Sequence, residues 1–147
     1  MIEVRVEIDI ERPAPDVFAF VTDMANNTRW QSGMRSCRWT SDPPIGVGST
    51  YDQVASFLGR EIVTSFEVVE HDPPTAMRIV STKSTFPLDI TRTVTPRGDD
   101  ACSVEAIVRG EPNGPMGWFA PLMRPMVARS VSGDYQRLKT LLESPST

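Results

Sequence analysis

Residues 119–143 read FAPLMRPMVARSVSGDYQRLKTLLE. Phe119, Leu122, Met123, Met126, Val127, Ser130, Val131, Asp134, Tyr135, Leu138, Leu141 and Leu142 recur three or four residues apart, which places them on one face of a long helix. Arg124, Arg129, Ser132, Gln136, Arg137 and Lys139 fall largely on the opposite face. Pro121 suits a first turn. Pro125 predicts a kink or the true start of the helix, because proline removes one hydrogen bond and clashes one turn back. Gly133 costs about 1 kcal/mol relative to alanine inside a helix. Close approach to a sheet, room for a ligand, or a solvent position would each explain it.

Working outward, what precedes this helix is built of strands. Ile2, Val4, Val6, Ile8 and Ile10 alternate with Glu3, Arg5, Glu7 and Asp9, so residues 2–10 form a strand with one buried and one wet face. Pro13 and Pro15 end it. Pro15 and Asp16 fit the first turn of a short helix, whose apolar face is Val17, Phe18, Phe20 and Val21. Asn26 and Asn27 are expected to break it and to cap a second short helix holding Arg29 and Trp30. Strands follow at 34–41, 49–57, 60–70, 76–83, 88–95 and 102–109, separated by turn-rich stretches such as DPPIGVG and PRGDD. A hairpin is expected around Leu58–Gly59. Short strands joined by tight turns imply an antiparallel meander, hence an α+β fold in a single domain over 1–147.

Composition narrows the function. Of the 147 residues 39% are hydrophobic and 23% charged, which fits a globular domain with room for a core and a cavity. The net charge of −4 argues against nucleic acid as the main partner and against charge-driven docking on an anionic membrane. No apolar run approaches the roughly 20 residues that span a bilayer. The alternating N-terminus does not resemble a signal peptide, so the expected location is the cytoplasm. Cys37 and Cys102 are expected to be free thiols on non-neighbouring strands.

The order of elements, with PAPDVFAFVTD (13–23), Trp30, GVGSTYD (46–52), FEVVEHDPPTAMRI (66–79), ITRTVTPRGDDACSVEA (90–106) and LKTLLES (138–144), resembles the START-like or SRPBCC superfamily, and within it the polyketide cyclase/dehydratase-like group. The resemblance spans nearly the whole chain. It implies a helix-grip fold: a curved seven-stranded antiparallel sheet, in the order β-α-α-β6-α, wrapped around the C-terminal helix with a hydrophobic cavity between. It says little about chemistry, because one scaffold hosts many functions.

Metal and cofactor chemistry find little support. His71 is the sole histidine and the cysteines are far apart, so no zinc ligand set is present. His71 is expected in an exposed turn, and Asp99 and Asp100 in a solvated hairpin. No cofactor is expected. The pocket offers more. If the apolar parity of each strand points inward, Phe66, Val68, Met77, Ile79, Leu88, Ile90, Val94, Val104 and Ala106 face the cavity. The same parity carries Arg92 inward. It would bind a carboxylate or enolate oxygen of the ligand, or else snorkel to water at the mouth or pair with Asp134. Trp30, Trp39, Tyr51 and Phe57 would supply aromatic walls or core, and Phe119, Met123, Met126, Val127 and Ser130 the helical side.

Three functions compete. Many apolar walls and few catalytic groups favour binding of a hydrophobic small molecule: a lipid, an isoprenoid or an aromatic, polyketide-like metabolite. A cyclase or dehydratase would need Arg92 as oxyanion donor and Asp134 or Tyr135 for the proton, all reaching one point. A protein-interaction module ranks last, because the outer face of the first strand is charged. The expected partner is the small ligand, with no nucleic acid and no membrane insertion, in a monomer or homodimer.

Overall fold

A computed structural model of the chain describes residues 2–57, 59–84, 86–111 and 120–144. Seven strands form one antiparallel sheet: β1 (Ile2–Ile10), β2 (Met34–Trp39), β3 (Thr50–Phe57), β4 (Arg60–Asp72), β5 (Ala76–Lys83), β6 (Leu88–Pro96) and β7 (Cys102–Gly110). Their order is β1-β7-β6-β5-β4-β3-β2, a meander whose first strand returns beside the last. Helix α1 (Ala14–Thr22) and a 3-10 helix (Met24–Arg29) join β1 to β2, and α2 (Ala120–Glu143) ends the described chain. The curled sheet gripping a long terminal helix is the α+β helix-grip fold.

The alternation in β1 does what its pattern dictates. Its even residues face the core, and its charged residues pair across the convex face with β7: Glu3 with Arg109 at 2.8 Å and Arg5 with Glu105 at 3.3 Å. Such exposed pairs add little stability but help hold the register of an edge strand. Phe57 pairs with Arg60, leaving a two-residue loop in which Gly59 takes φ +78°. Gly33 at φ +75° is required for a second reason: a Cβ there would lie 2.7 Å from the Ser56 carbonyl oxygen.

Three local expectations need correction. The asparagines do not break one helix and cap the next; they lie inside the 3-10 helix, and its cap is Asp23, whose carboxylate accepts from the Ala25 N–H at 3.2 Å. The strand at 34–41 stops at Trp39. His71 is not in an exposed turn. It lies near the end of β4, where a register irregularity between Val68 and Glu70 pairs it with Met77, and its half-buried ring sits 6.1 Å from that of Phe18. Cys37 on β2 and Cys102 on β7 are free thiols on non-neighbouring strands.

The core occupies one end of the concave face. There α1 inserts Val17, Phe18 and Val21 against Val68, Met77, Val94 and Val104 of the sheet, with Tyr135 and Leu138 of α2 closing the layer. The C-terminal half of α2 is also tied down by polar contacts. Lys139 Nζ donates to the Asp9 carbonyl at 2.6 Å, and the Glu143 carboxylate accepts from the Glu11 N–H at 2.8 Å. Pro125 lies inside α2 rather than at its start. A Cβ at Gly133 would meet nothing within 4 Å, so that glycine occupies a solvent position.

Candidate functional site

At the other end of the concave face the helix keeps to β1, where Arg124 Nε donates to the Glu3 carbonyl at 3.2 Å, and leaves the strands beyond it partly uncovered. A cleft of about 220 Å³ opens there, lined by Gln53 and Ala55 of β3, Ile62 and Thr64 of β4, Leu88 of β6, Val108 of β7, Ile2 of β1, and Met123 and Val127 of α2. Ser84, Phe86, Gly110 and Glu111 complete its rim. The cause is in the side chains. Ala55, Thr64 and Gly110 leave short stubs where Phe66 and Met77 fill the space further down, and α1 plugs only the far end. The volume is below the roughly 300–1,000 Å³ of common ligand pockets, so it seats a small molecule or one part of a longer one.

The cleft holds little machinery. Glu111 is the one ionisable group among its described lining residues; Gln53, Thr64 and Ser84 are neutral. A second hollow of about 250 Å³ is bounded by Asp23, Trp39, Ser41, Asp42, Pro43, Ile45 and Ser49. Trp39 Nε1 donates to Asp23 Oδ1 at 2.9 Å across its wall.

Arg92 points inward, as strand parity requires, and is 5% exposed. Its partner is not Asp134. Nε donates to the Tyr135 hydroxyl at 2.8 Å, Nη1 to the Val21 carbonyl at 3.2 Å, and the guanidinium carbon lies 5.4 Å from the centre of the Trp30 ring. Helix rotation explains the exchange: Tyr135 is on the buried face, one residue past Asp134. Asp134 turns toward the loop before β2, where it accepts from the Ser32 N–H at 2.8 Å and from Arg137 at 3.1 Å. Arg137 in turn donates to the Trp30 carbonyl at 2.9 Å. Burial raises the Asp134 carboxyl above its ordinary range, against the opposing pull of these two donors. Near Arg92, burial pushes the Cys37 thiol up to about 11 and holds the Tyr51 phenol far above its usual value. Both groups are therefore neutral at physiological pH.

The candidate residues thus divide. Leu88, Met123 and Val127 line the cleft. Trp30, Tyr51, Phe66, Met77, Ile79, Arg92 and Tyr135 are buried below it, and Ile90 is half-buried between. Trp39 lines the second hollow. Met126 and Ser130 lie on the exposed side of α2. Phe119 and the side chain of Phe57 fall outside the described residues. Arg92, Asp134 and Tyr135 line neither cavity, and Asp134 is engaged away from the other two. Gln53, Ala55, Ile62, Thr64 and Val108 were missed, though each shares the inward parity of a neighbour: Tyr51, Phe66 or Ala106.

This architecture has relatives. The sequence profile of the polyketide cyclase / dehydrase and lipid transport family matches residues 1–143. The chain belongs to that family. No curated protein matches its sequence. Among solved structures, this family member is similar to TTHA0849 from Thermus thermophilus, at TM-score 0.82 and 20% identity over 97% of this chain and 99% of that one. It is also similar to the Zhui aromatase/cyclase from Streptomyces sp. R1128, at TM-score 0.76 and 10% identity over 96% and 93% of the two chains. A START superfamily protein from Mycobacterium smegmatis follows at TM-score 0.73 and 14% identity, over 94% and 99%. Likeness at these identities establishes a shared START-like fold and no shared chemistry. Among the described residues of this polyketide cyclase/dehydrase-family domain, no three His, Cys, Asp or Glu side chains converge as a metal site requires, and no helix is long and apolar enough to cross a membrane.

Proposed function

We propose that this protein binds a hydrophobic small molecule, of lipid, isoprenoid or aromatic polyketide-like character, in the cleft between the sheet and the N-terminal half of α2. The observation that carries this reading is the cleft itself: a long helix bridges a concave sheet, and apolar side chains from both face an unfilled space. Binding without turnover is favoured over cyclisation or dehydration because no acid–base pair lines that space among the described residues. The groups once suited to catalysis are committed elsewhere, Arg92 to Tyr135 and Asp134 to Ser32 and Arg137.

Native mass spectrometry of the protein expressed in cells tests the proposal. A co-purified apolar mass, lost in Ala55→Trp, supports it. No retained mass, together with unaltered binding of apolar probes by Ala55→Trp, would refute it.

A further inference from the structure

Two neutral polar side chains stand side by side on the floor of the cleft. Gln53 of β3 and Thr64 of β4 are direct partners across the antiparallel pair, and both line the open space. Partners of this kind leave the same face of the sheet with Cβ atoms about 4.5–5.5 Å apart. Toward the β3–β4 hairpin the next pair on this face is Ala55 and Ile62, both half-buried and both lining the cleft. In the other direction it is Tyr51 and Phe66, each 1% exposed, whose rings stack at 5.1 Å. The polar pair therefore marks the inner end of the open space, against a sealed aromatic layer.

Neither group has a partner. Thr64 is 3% exposed, and among the described residues neither its hydroxyl nor the Gln53 amide makes a side-chain hydrogen bond. A buried hydroxyl left unmet costs about 1–3 kcal/mol, and valine would fill the same volume in a strand without that cost. Ser84, by contrast, is occupied within its own turn by the Phe86 N–H and carbonyl. Positive charge is missing as well. Glu111, the one ionisable group among the described lining residues, is exposed on the rim, and its carboxylate repels an acid. Cys37, opposite Gln53 on β2, has a thiol that burial keeps protonated.

We infer that the ligand is uncharged and carries a hydroxyl or carbonyl oxygen at its leading end, held by the Thr64 hydroxyl and the Gln53 amide, with its apolar body between Ala55, Ile62 and the α2 side chains Met123 and Val127. This inference rests on the cleft being the ligand site. A carbonyl oxygen has two lone pairs and accepts from both residues. A hydroxyl accepts from one and donates to the other, and the glutamine amide offers either end. A carboxylate at the same point would be buried with no cation to meet it.

The test titrates the intact protein with two ligand sets, by displacement of an apolar fluorescent probe. One set is 2-acetylnaphthalene, 2-naphthalenemethanol, 2-ethylnaphthalene and 2-naphthoate; the other is 2-octanone, 1-octanol, octane and octanoate. Each set keeps its body and changes its head. In the set whose body suits the cleft, the ketone or the alcohol is expected to bind roughly 10-fold or more tighter than the acid, and the tighter of the two names the oxygen function. Thr64→Val and Gln53→Met should each lower the ratio of oxygenated to hydrocarbon affinity roughly 2- to 10-fold, the range of one neutral hydrogen bond, with hydrocarbon affinity kept. Thr64→Ser should retain the wild-type ratio. A fall in one of the two variants upholds the inference and assigns the oxygen to that residue. An unchanged ratio in both, or an acid bound tightest, would overturn the inference while sparing the cleft. Binding of no member of either set would remove the cleft reading and this inference with it.

Discussion

The two ends of the concave face are built from the same strands, yet one is packed and the other is open. At one end α1 drives Val17, Phe18 and Val21 into the sheet, and Phe66, Val68 and Leu138 are sealed. At the other end Ala55, Thr64 and Val108 face a helix that does not reach them. The sheet is continuous through both, so the difference comes from what covers it and from side-chain size. The interior is packed where α1 plugs the sheet, and open space is left where nothing among the described residues covers it.

That contrast can be broken by substitution. Phe66→Ala, at the sealed end, should cost about 3–5 kcal/mol in denaturant unfolding, against about 1 kcal/mol or less for Val108→Ala, whose side chain already borders open space. Equal losses would erase the contrast. Tyr135→Phe should cost about 1–3 kcal/mol, because it strips the buried Arg92 Nε of its acceptor. A loss below about 0.5 kcal/mol would mean that the hydrogen bond is readily replaced by water. Ala55→Trp should shift stability by less than about 1 kcal/mol, since it grows into free space rather than into packed neighbours. It should nonetheless eliminate apolar-probe fluorescence.

Asp134→Asn should have the smallest effect. The folded-state pKa of Asp134 is raised, so the folded protein binds this proton more tightly than the unfolded chain does. Wild-type stability therefore gains as pH falls through the window just above the ordinary carboxylate range, and is lower by that amount at neutral pH. Asparagine keeps an acceptor for Ser32 and removes the titration. The variant should match or slightly exceed wild type at pH 7, and the advantage should vanish in acid. A variant clearly weaker at pH 7 would show that the charge on Asp134 stabilises through Arg137.

Much of this was legible in the sequence. Alternation in β1 and the stripe on α2 fixed the elements, because those periods report directly which face is buried. The inward turn of Arg92 followed from the same parity. Its partner did not: choosing Tyr135 over Asp134 requires the rotation of α2 about its axis, which is set by contacts with β1 far away in sequence. His71 was misplaced because the irregularity in β4 shifts the face of every residue beyond it, and no turn residue announces it. The cleft was legible in kind but not in place. Large apolar residues drew the eye to strand centres, and those centres are where the core is full. The open end is marked instead by smaller residues, Ala55 near the end of β3 and Thr64 in the first half of β4, which periodicity weights least.

The most direct test of the central claim is titration of wild type and Ala55→Trp with an apolar fluorescent probe, with unfolding midpoints measured on the same samples. The account predicts saturable, one-to-one binding by wild type and none by the variant, at nearly unchanged midpoint. Equal binding by both proteins would contradict it, since the probe would then be sitting somewhere other than under the helix.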